Sequence, residues 1–332
     1  MKIHGSLEEI TKNKLNELYD GKVPQKNLKR YNYEMKVIHE KRLENNYLLA
    51  YEIVEKARQD NRIIIDRICG SSYIDYLLGM TFVDPIKYEL SNDLRCDATF
   101  YCGVSADYFQ TIYDYLKVIF KKYKLSNKFD TDELKKYGIS LERNSYAKKL
   151  EELEKETKLG RYEIDLNDIN VYINLNNNEE FSLEKYKQLF NTLHPNSINR
   201  LADMYSLMQS SFYVGYDELL CNCDLKIFPY TRDHIYSYLL KRHIKREDAI
   251  VITKFIYKGR IHSDSKTWNV YKKHLIQHNV ECQYIKILES IGYLWPRSIC
   301  ITRTIIIYWL AYYQLYYPKD YNKVMLSYVG EK

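Results

Sequence analysis

No cysteine framework runs through this sequence. The seven cysteines, Cys69, Cys96, Cys102, Cys221, Cys223, Cys282 and Cys300, are odd in number and scattered. That excludes the evenly paired pattern of a disulfide-stapled secreted domain and fits a reducing, cytoplasmic setting. A large excess of one charge is missing too. With 50 Lys and Arg against 44 Asp and Glu, the formal net charge of +6 permits an anionic partner but excludes histone-like basicity. The opening MKIHGSLEEITKNKLNELYDG carries acids and no apolar core of the kind a secretion signal needs. No clean membrane-length apolar run occurs either. In ICITRTIIIYWLAYYQLYYP, Arg303 interrupts the run and Tyr recurs through its second half, so a buried helix is expected there rather than a span. Repeats of fixed period are absent.

What is present is an ordinary globular balance: 332 residues, 45% apolar and 28% charged, enough for one or two cores. The 35 tyrosines, with abundant Lys, Asn and Ile, read as a genome-wide compositional bias. Helical spacing dominates, beginning where Met35, Ile38, Leu43, Tyr47, Tyr51 and Val54 recur near one or two turns. RIIIDRI, Arg62 to Ile68, is short and β-branched and predicts a buried strand leading into a Gly70 turn. A short strand near Ala98 to Tyr101 and a helix from about Ser105 follow. Asp130 with Glu133 forms a capping-box pattern that opens a charged helical stretch through YAKKLEELEKETKLG. Tyr162 to Ser182 alternates Ile and Val with polar residues, then ends in an asparagine run; it predicts strand or irregular chain, then loop, and the best domain boundary. Six helical patterns follow, the last being the long one after Pro296. The fold class expected from pattern is α+β, predominantly helical, with a small β element in the first half.

NYLLAYEIVEKARQ, GSSYIDYLLGMTFVDPIKY, RDHIYSYLLKRHIKREDAIVITKFIYKGR and ESIGYLWPRSICITRTIIIYWLAYYQLYYPKDYNKVMLSYV together resemble the palm and fingers of the bacterial C-family DNA polymerase III alpha subunit, nearest the PolC type. Their order and approximate spacing agree from about Leu15 to Val329. The resemblance implies a reduced nucleotidyltransferase-like palm over residues 1–140, a connecting segment over 141–180 and a helical fingers-like domain over 181–332. Counterparts of that family's phosphoesterase, exonuclease, oligonucleotide-binding and duplex-binding parts are not found in the chain.

In that family a doubled Gly-Ser turn lets a triphosphate approach a helix start. Here Ile64 and Ile65 replace its first half, while Gly70, Ser71 and Ser72 keep the second, with N–H groups expected to point outward. A serine N-cap explains the same residues equally well. The family also holds two Mg²⁺ ions on three palm carboxylates. Asp97 matches the first; Thr99 and Gly138 stand at the other two, and neither carries a charge. Lys124 to Phe129 replaces a stretch long enough for a whole supersecondary layer. In the fingers segment Lys187 keeps one cation for a phosphate, Glu184 stands near an expected arginine, and Gln209 replaces a histidine.

The resemblance therefore implies a relative with degenerate catalytic motifs: a pseudoenzyme of bacterial DNA replication, or of a mobile element, that binds nucleic acid or a replication partner. Lys241, Arg242, His243, Lys245 and Arg246, with Lys258 and Arg260 after the next helix, form the basic cluster for phosphate contact, with Tyr236, Tyr238 and Tyr257 among them. A solvated helix face explains the same charges equally well. Two alternatives stand beside this reading. One is a minimal DNA-directed nucleotidyltransferase using Asp97 with Asp93, Asp130 or Asp132, the only case in which Mg²⁺ is expected as a cofactor. The other is a purely structural interaction module. Cys221-Asn222-Cys223 lacks a second ligand pair and the zinc insertion of PolC proteins after Pro85 is missing, so no metal and no structural zinc are expected. His262, His274 and His278 have no nucleophile motif nearby and read as surface or core histidines.

Overall fold

The computed structural model describes residues 5–66, 70–91, 93, 99–126, 128–175, 184–214 and 225–328. Two compact units result, one formed by Met1–Asn174 with Ile305–Lys332 and one by Leu175–Thr304.

The first unit opens with three helices, α1 (Leu7–Tyr19), α2 (Gln25–Glu40) and α3 (Glu44–Gln59). A full capping box starts α1: Glu9 N–H donates to Ser6 Oγ at 3.2 Å and Ser6 N–H to Glu9 Oε2 at 2.7 Å. Helix α3 is buried along most of its length, with Leu49, Ala50 and Ile53 fully enclosed, because it runs through the core rather than over it. Strand β1 (Ile65–Asp66) follows, as the Arg62 to Ile68 pattern predicts, and then the short helix α4 (Tyr73–Leu77). β2 (Phe100–Val104), α5 (Phe109–Lys122), α6 (Thr131–Lys136) and β3 (Ile139–Arg143) complete a three-stranded mixed sheet. The central β2 pairs antiparallel with β1 and parallel with β3. The parallel pairing requires a crossover, which α5 and α6 supply. Gly103 lets the sheet close, since a Cβ there would lie 2.7 Å from the Ile65 carbonyl and 2.9 Å from the Asn144 amide.

Strand β3 differs from the expected uninterrupted charged helical stretch. Asp130 does cap α6, accepting from Asp132 and Glu133 N–H at 3.0 and 2.9 Å, but α6 ends before Gly138 and the chain re-enters the sheet. A new cap, Asn144, then starts α7 (Ser145–Thr157). Beyond a 3-10 turn at Arg161–Glu163, the stretch expected to be strand or irregular instead contains α8 (Ile169–Asn174). There Val171 and Tyr172 are buried, and Tyr172 lies 4.9 Å from Tyr308 ring to ring. Tertiary packing of one apolar face outweighs the β-branched content of so short a segment.

The second unit holds α9 (Glu184–Leu193), α10 (Ile198–Gln209), β4 (Ser211–Phe212), α11 (Arg232–Lys241), α12 (Arg246–Ile256), α13 (Ser265–Gln277), α14 (Cys282–Glu289) and β5 (Ile291–Tyr293). Helix α15 (Arg297–Tyr316) begins there, and residues 305–316 of it belong to the first unit, as does α16 (Pro318–Leu326). β4 and β5 pair antiparallel with a bulge. Ile235 and Leu239 of α11 and Ile252 and Ile256 of α12 are buried between packed helices, each such side chain contributing about 1.5–3 kcal/mol. The chain is thus predominantly helical with a small mixed sheet, an α+β arrangement. No described helix is long and apolar enough to cross a membrane.

Candidate functional site

Helix α2 places Tyr31, Glu34, Met35 and Ile38 on one buried face. A carboxylate in such a stripe needs partners, and Glu34, only 2% exposed, finds them at the start of α4. Its Oε2 accepts from Ser72 Oγ at 2.9 Å, from Tyr73 N–H at 2.9 Å and from Ile74 N–H at 3.2 Å. Its Oε1 accepts from Arg30, one turn earlier on α2. Arg30 also donates to the Leu90 carbonyl at 3.0 Å and the Ser71 carbonyl at 2.6 Å. The first two N–H groups of α4, those of Tyr73 and Ile74, are thus taken up by an internal carboxylate. Gly70, Ser71 and Ser72 are themselves buried. Ser72 remains the N-cap, accepting from Asp75 N–H at 3.2 Å.

The sheet brings two of the positions singled out in sequence to one edge. Phe100 pairs with Ile139 in the parallel register, and Phe100 N–H donates to the Gly138 carbonyl at 2.7 Å. Thr99 and Gly138, the residues just before these partners, thus lie at neighbouring strand starts. Neither position can ligate a cation through a charge. Asp97 falls outside the described residues. Of the other carboxylates considered, Asp130 is occupied by its helix cap and by Lys128 at 2.5 Å, whose hydrogen bond, with that from Glu133 N–H, lowers its pKa. Asp132 pairs with Lys135 at 3.0 Å, and Asp93 N–H donates to Ser91 Oγ at 3.1 Å. Among the described residues no three His, Cys, Asp or Glu side chains are grouped to hold a metal ion.

A known family matches the first part of the chain. The model for the bacterial DNA polymerase III alpha NTPase domain matches residues 5–94, which hold α1 to α4, the Glu34 contact and the Gly70 turn. Over those residues the chain is similar to DNA polymerase III alpha. Similar relatives include error-prone DNA polymerase 1 of Rhizobium meliloti, 33% identical over 89 residues, which are 26% of this chain and 8% of that protein. DNA polymerase III PolC-type of Mycoplasmopsis pulmonis is 29% identical over 96 residues, 29% of this chain and 6% of that protein. DNA polymerase III subunit alpha of Ureaplasma parvum is 37% identical over 74 residues, 21% of this chain and 8% of that protein. The match spans less than a tenth of each of these relatives.

The basic cluster separates in space. Lys241, Arg242, His243, Lys245 and Arg246 share the tight turn joining α11 to α12, where His243 takes a left-handed φ of 59°. Lys258 and Arg260 lie beyond the other end of α12, roughly 16 Å away along an 11-residue helix. Gly259 holds that second turn against β5: its φ is +64°, and a Cβ would stand 2.2 Å from the Gly292 carbonyl. Arg242 is engaged by Glu281 at 2.5 Å and by the Tyr238 hydroxyl at 3.0 Å, and α12 begins with Glu247 and Asp248. Lys241 and Lys245 are exposed without an ion pair among the described residues. Tyr236 and Tyr257, at 2% and 3% exposed, are core residues and offer no stacking face, while Tyr238 stacks on Tyr284 with centroids 3.9 Å apart. Lys187 is exposed on α9.

A buried polar network underlies the start of α15. Arg297 donates to Asp203 at 2.7 Å and to Asn199 at 2.8 Å, and faces His234 Nε2 at 3.0 Å. The other ring nitrogen, Nδ1, accepts from Thr231 N–H at 3.2 Å and lies 2.9 Å from Thr231 Oγ1. Burial, reinforced by Arg297, holds the imidazole pKa well below its ordinary value, and burial raises Asp203 against the pull of Arg297. Burial likewise pushes the Cys300 thiol up to about 12, so it is inert packing. His262 meets the Glu289 carbonyl at 2.7 Å and His278 the His274 carbonyl at 3.0 Å, neither beside a nucleophile. Cys221 and Cys223 lie outside the described residues.

Proposed function

We propose that the chain is a replication-associated relative of DNA polymerase III alpha that no longer polymerises and acts by binding nucleic acid or a replication protein. In this reading residues 1–140 correspond to a reduced palm and 181–332 to helical fingers. The observation that carries it is the pair of neighbouring strand starts where the metal-holding carboxylates would be needed: Thr99 and Gly138 flank the Phe100–Gly138 hydrogen bond of 2.7 Å and offer no charge. A single remaining carboxylate, Asp97, is too little for two-metal chemistry. The Gly70 turn supports the same conclusion, because Glu34 fills the anion position with a charge that repels a triphosphate. Phosphate contact is assigned to Lys241, Arg242, Lys245 and Arg246 on the α11–α12 turn, with Lys258 and Arg260 as a second patch and Lys187 as a further cation.

Primer extension on a primed template with Mg²⁺ or Mn²⁺ tests the first half of the proposal. No extension is expected, and extension abolished by Asp97→Ala would overturn it in favour of a minimal nucleotidyltransferase. The second half is tested by binding primed template across a salt series, where affinity should fall as salt rises, by about one unit of log–log slope per phosphate contacted. Charge reversal at Lys241, Arg242, Lys245 and Arg246 should weaken that binding; unchanged affinity would leave these residues as a solvated helix turn.

A further inference from the structure

Two cavities in the first unit adjoin and share Tyr76, Phe82 and Tyr162 in their walls. The larger, about 480 Å³, is also bounded by Lys14, Leu18, Arg58 and Thr81. The smaller, about 170 Å³, is completed by Asp84, Lys87, Tyr88, Arg161 and Trp309. Together they form a cleft with aromatic walls and a basic margin, in a unit separate from the α11–α12 turn.

Several features of the cleft fit a ligand better than packing. Tyr162 is 70% exposed although its ring stands edge-on to Trp309, centroids 6.0 Å apart, and Trp309 in turn meets Phe82 at 4.8 Å. The Arg161 guanidinium, held by Glu154 at 2.6 Å, sits 4.5 Å from the Tyr162 ring centroid and fixes it in place. Tyr88, 6% exposed, and the partly buried Tyr76 line the smaller cavity. Asp84 spends one carboxylate oxygen on its own turn, accepting from Ile86 and Lys87 N–H at 2.8 and 3.3 Å. Lys87 is exposed, lies 5.5 Å from the Tyr88 ring, and has no carboxylate partner among the described residues. At the far end Lys14 meets Glu17 at 3.2 Å and Arg58 meets Glu55, exposed pairs that a phosphate displaces at little cost.

We propose that this cleft is a site for single-stranded nucleic acid. An unpaired base lies against Tyr162 and Phe82, which the buried Trp309 backs, its polar edge faces Tyr76, and the flanking phosphates reach Lys87 on one side and Lys14 and Arg58 on the other. Aromatic faces accept any base, so the site selects unpaired strand over duplex and has little sequence preference. The proposal rests on the nucleic-acid reading above for its class of ligand only.

The test uses the full chain and a fluorescein-labelled oligo(dT) followed by anisotropy. Tyr162→Ala, a surface change whose folding is checked by circular dichroism, is expected to weaken oligo(dT) binding roughly 5- to 100-fold, with Tyr162→Phe restoring it. Lys87→Glu is expected to lower the salt slope by about one. Charge reversal on the α11–α12 turn should leave oligo(dT) affinity within about a factor of two while acting on primed duplex, so the two sites fail separately. Wild-type affinity in both Tyr162→Ala and Lys87→Glu overturns the proposal, as does absence of any oligo(dT) binding by the wild type. A change in sedimentation of Tyr162→Ala with nucleic-acid binding untouched assigns the cleft to a second copy of the chain and also overturns it.

Discussion

Replacing Glu34 with alanine removes one carboxylate and leaves four donors in need of acceptors. Ser72 Oγ, Tyr73 N–H and Ile74 N–H lose a charged acceptor at 2.9, 2.9 and 3.2 Å, and Arg30 loses its carboxylate while its side chain is only 21% exposed. Taken one by one, three bonds to a charged group at about 1.5–3 kcal/mol each would suggest a loss near half or more of a typical domain's stability. That sum overcounts, because Arg30 keeps the carbonyls of Leu90 and Ser71, and water can enter beside a shortened side chain. Breaking a buried pair from one side costs about 3–5 kcal/mol, and with Arg30 still partly satisfied the expectation for Glu34→Ala is about 3 kcal/mol.

Glu34→Gln separates charge from hydrogen bonding. Its amide oxygen can still accept at the α4 start, but its amide group replaces the oxygen that faced Arg30, so about 1–2 kcal/mol is expected. Urea unfolding of the three proteins gives the midpoint shifts at constant slope, and hydrogen exchange at Tyr73 and Ile74 reports whether the α4 start is where protection is lost. If Glu34→Ala unfolds within about 0.5 kcal/mol of wild type, the range of an ordinary surface change, the carboxylate is not the internal anion of this turn and the argument built on it fails.

Other consequences are checked more simply. Gly259→Ala forces a Cβ 2.2 Å from the Gly292 carbonyl at a φ of +64°, so about 3 kcal/mol of destabilisation is expected from thermal unfolding, against about 1–2 kcal/mol for Gly21→Ala, where the φ of +75° is equally strained but nothing lies within 4 Å. Stability should also fall in acid through His234. Its folded pKa is depressed from an ordinary 6.5, so the unfolded chain takes up the proton first; the contribution is full above pH about 6.5 and declines as pH falls below it. The slope of stability against pH between about 6.5 and 5 should flatten in His234→Gln, and an unchanged slope would remove His234 as its source.

Much of the helical frame was legible, and the reasons differ by element. Ile235, Leu239, Ile252 and Ile256 repeat at helical spacing and are buried as that spacing demands. Ile64 and Ile65 announced β1 through β-branching. Strand β3 was not legible, because ISLER alternates only weakly and sits between two capped, charged helices; what makes it a strand is the row of β2 partners from Phe100 to Val104, contributed by a distant segment. The basic cluster looked single because five of its charges are adjacent in sequence. A rigid helix between Arg246 and Ile256 is enough to split it.

The role of Glu34 was written in the sequence but not where the phosphate question pointed. Tyr31, Glu34, Met35 and Ile38 fall on one helical stripe, and an acid in an apolar stripe with an arginine one turn before it signals a buried pair. Nothing in that pattern names the third partner, which lies 38 to 40 residues along the chain. The consequence bears on function. A helix start that retains Gly-Ser-Ser but spends its free N–H groups on a side chain of the same fold has a reason to keep those residues that does not involve a nucleotide. The Gly70 turn therefore carries no weight by itself as evidence for triphosphate binding, and the proposed loss of chemistry rests on Thr99 and Gly138, whose side chains carry no charge.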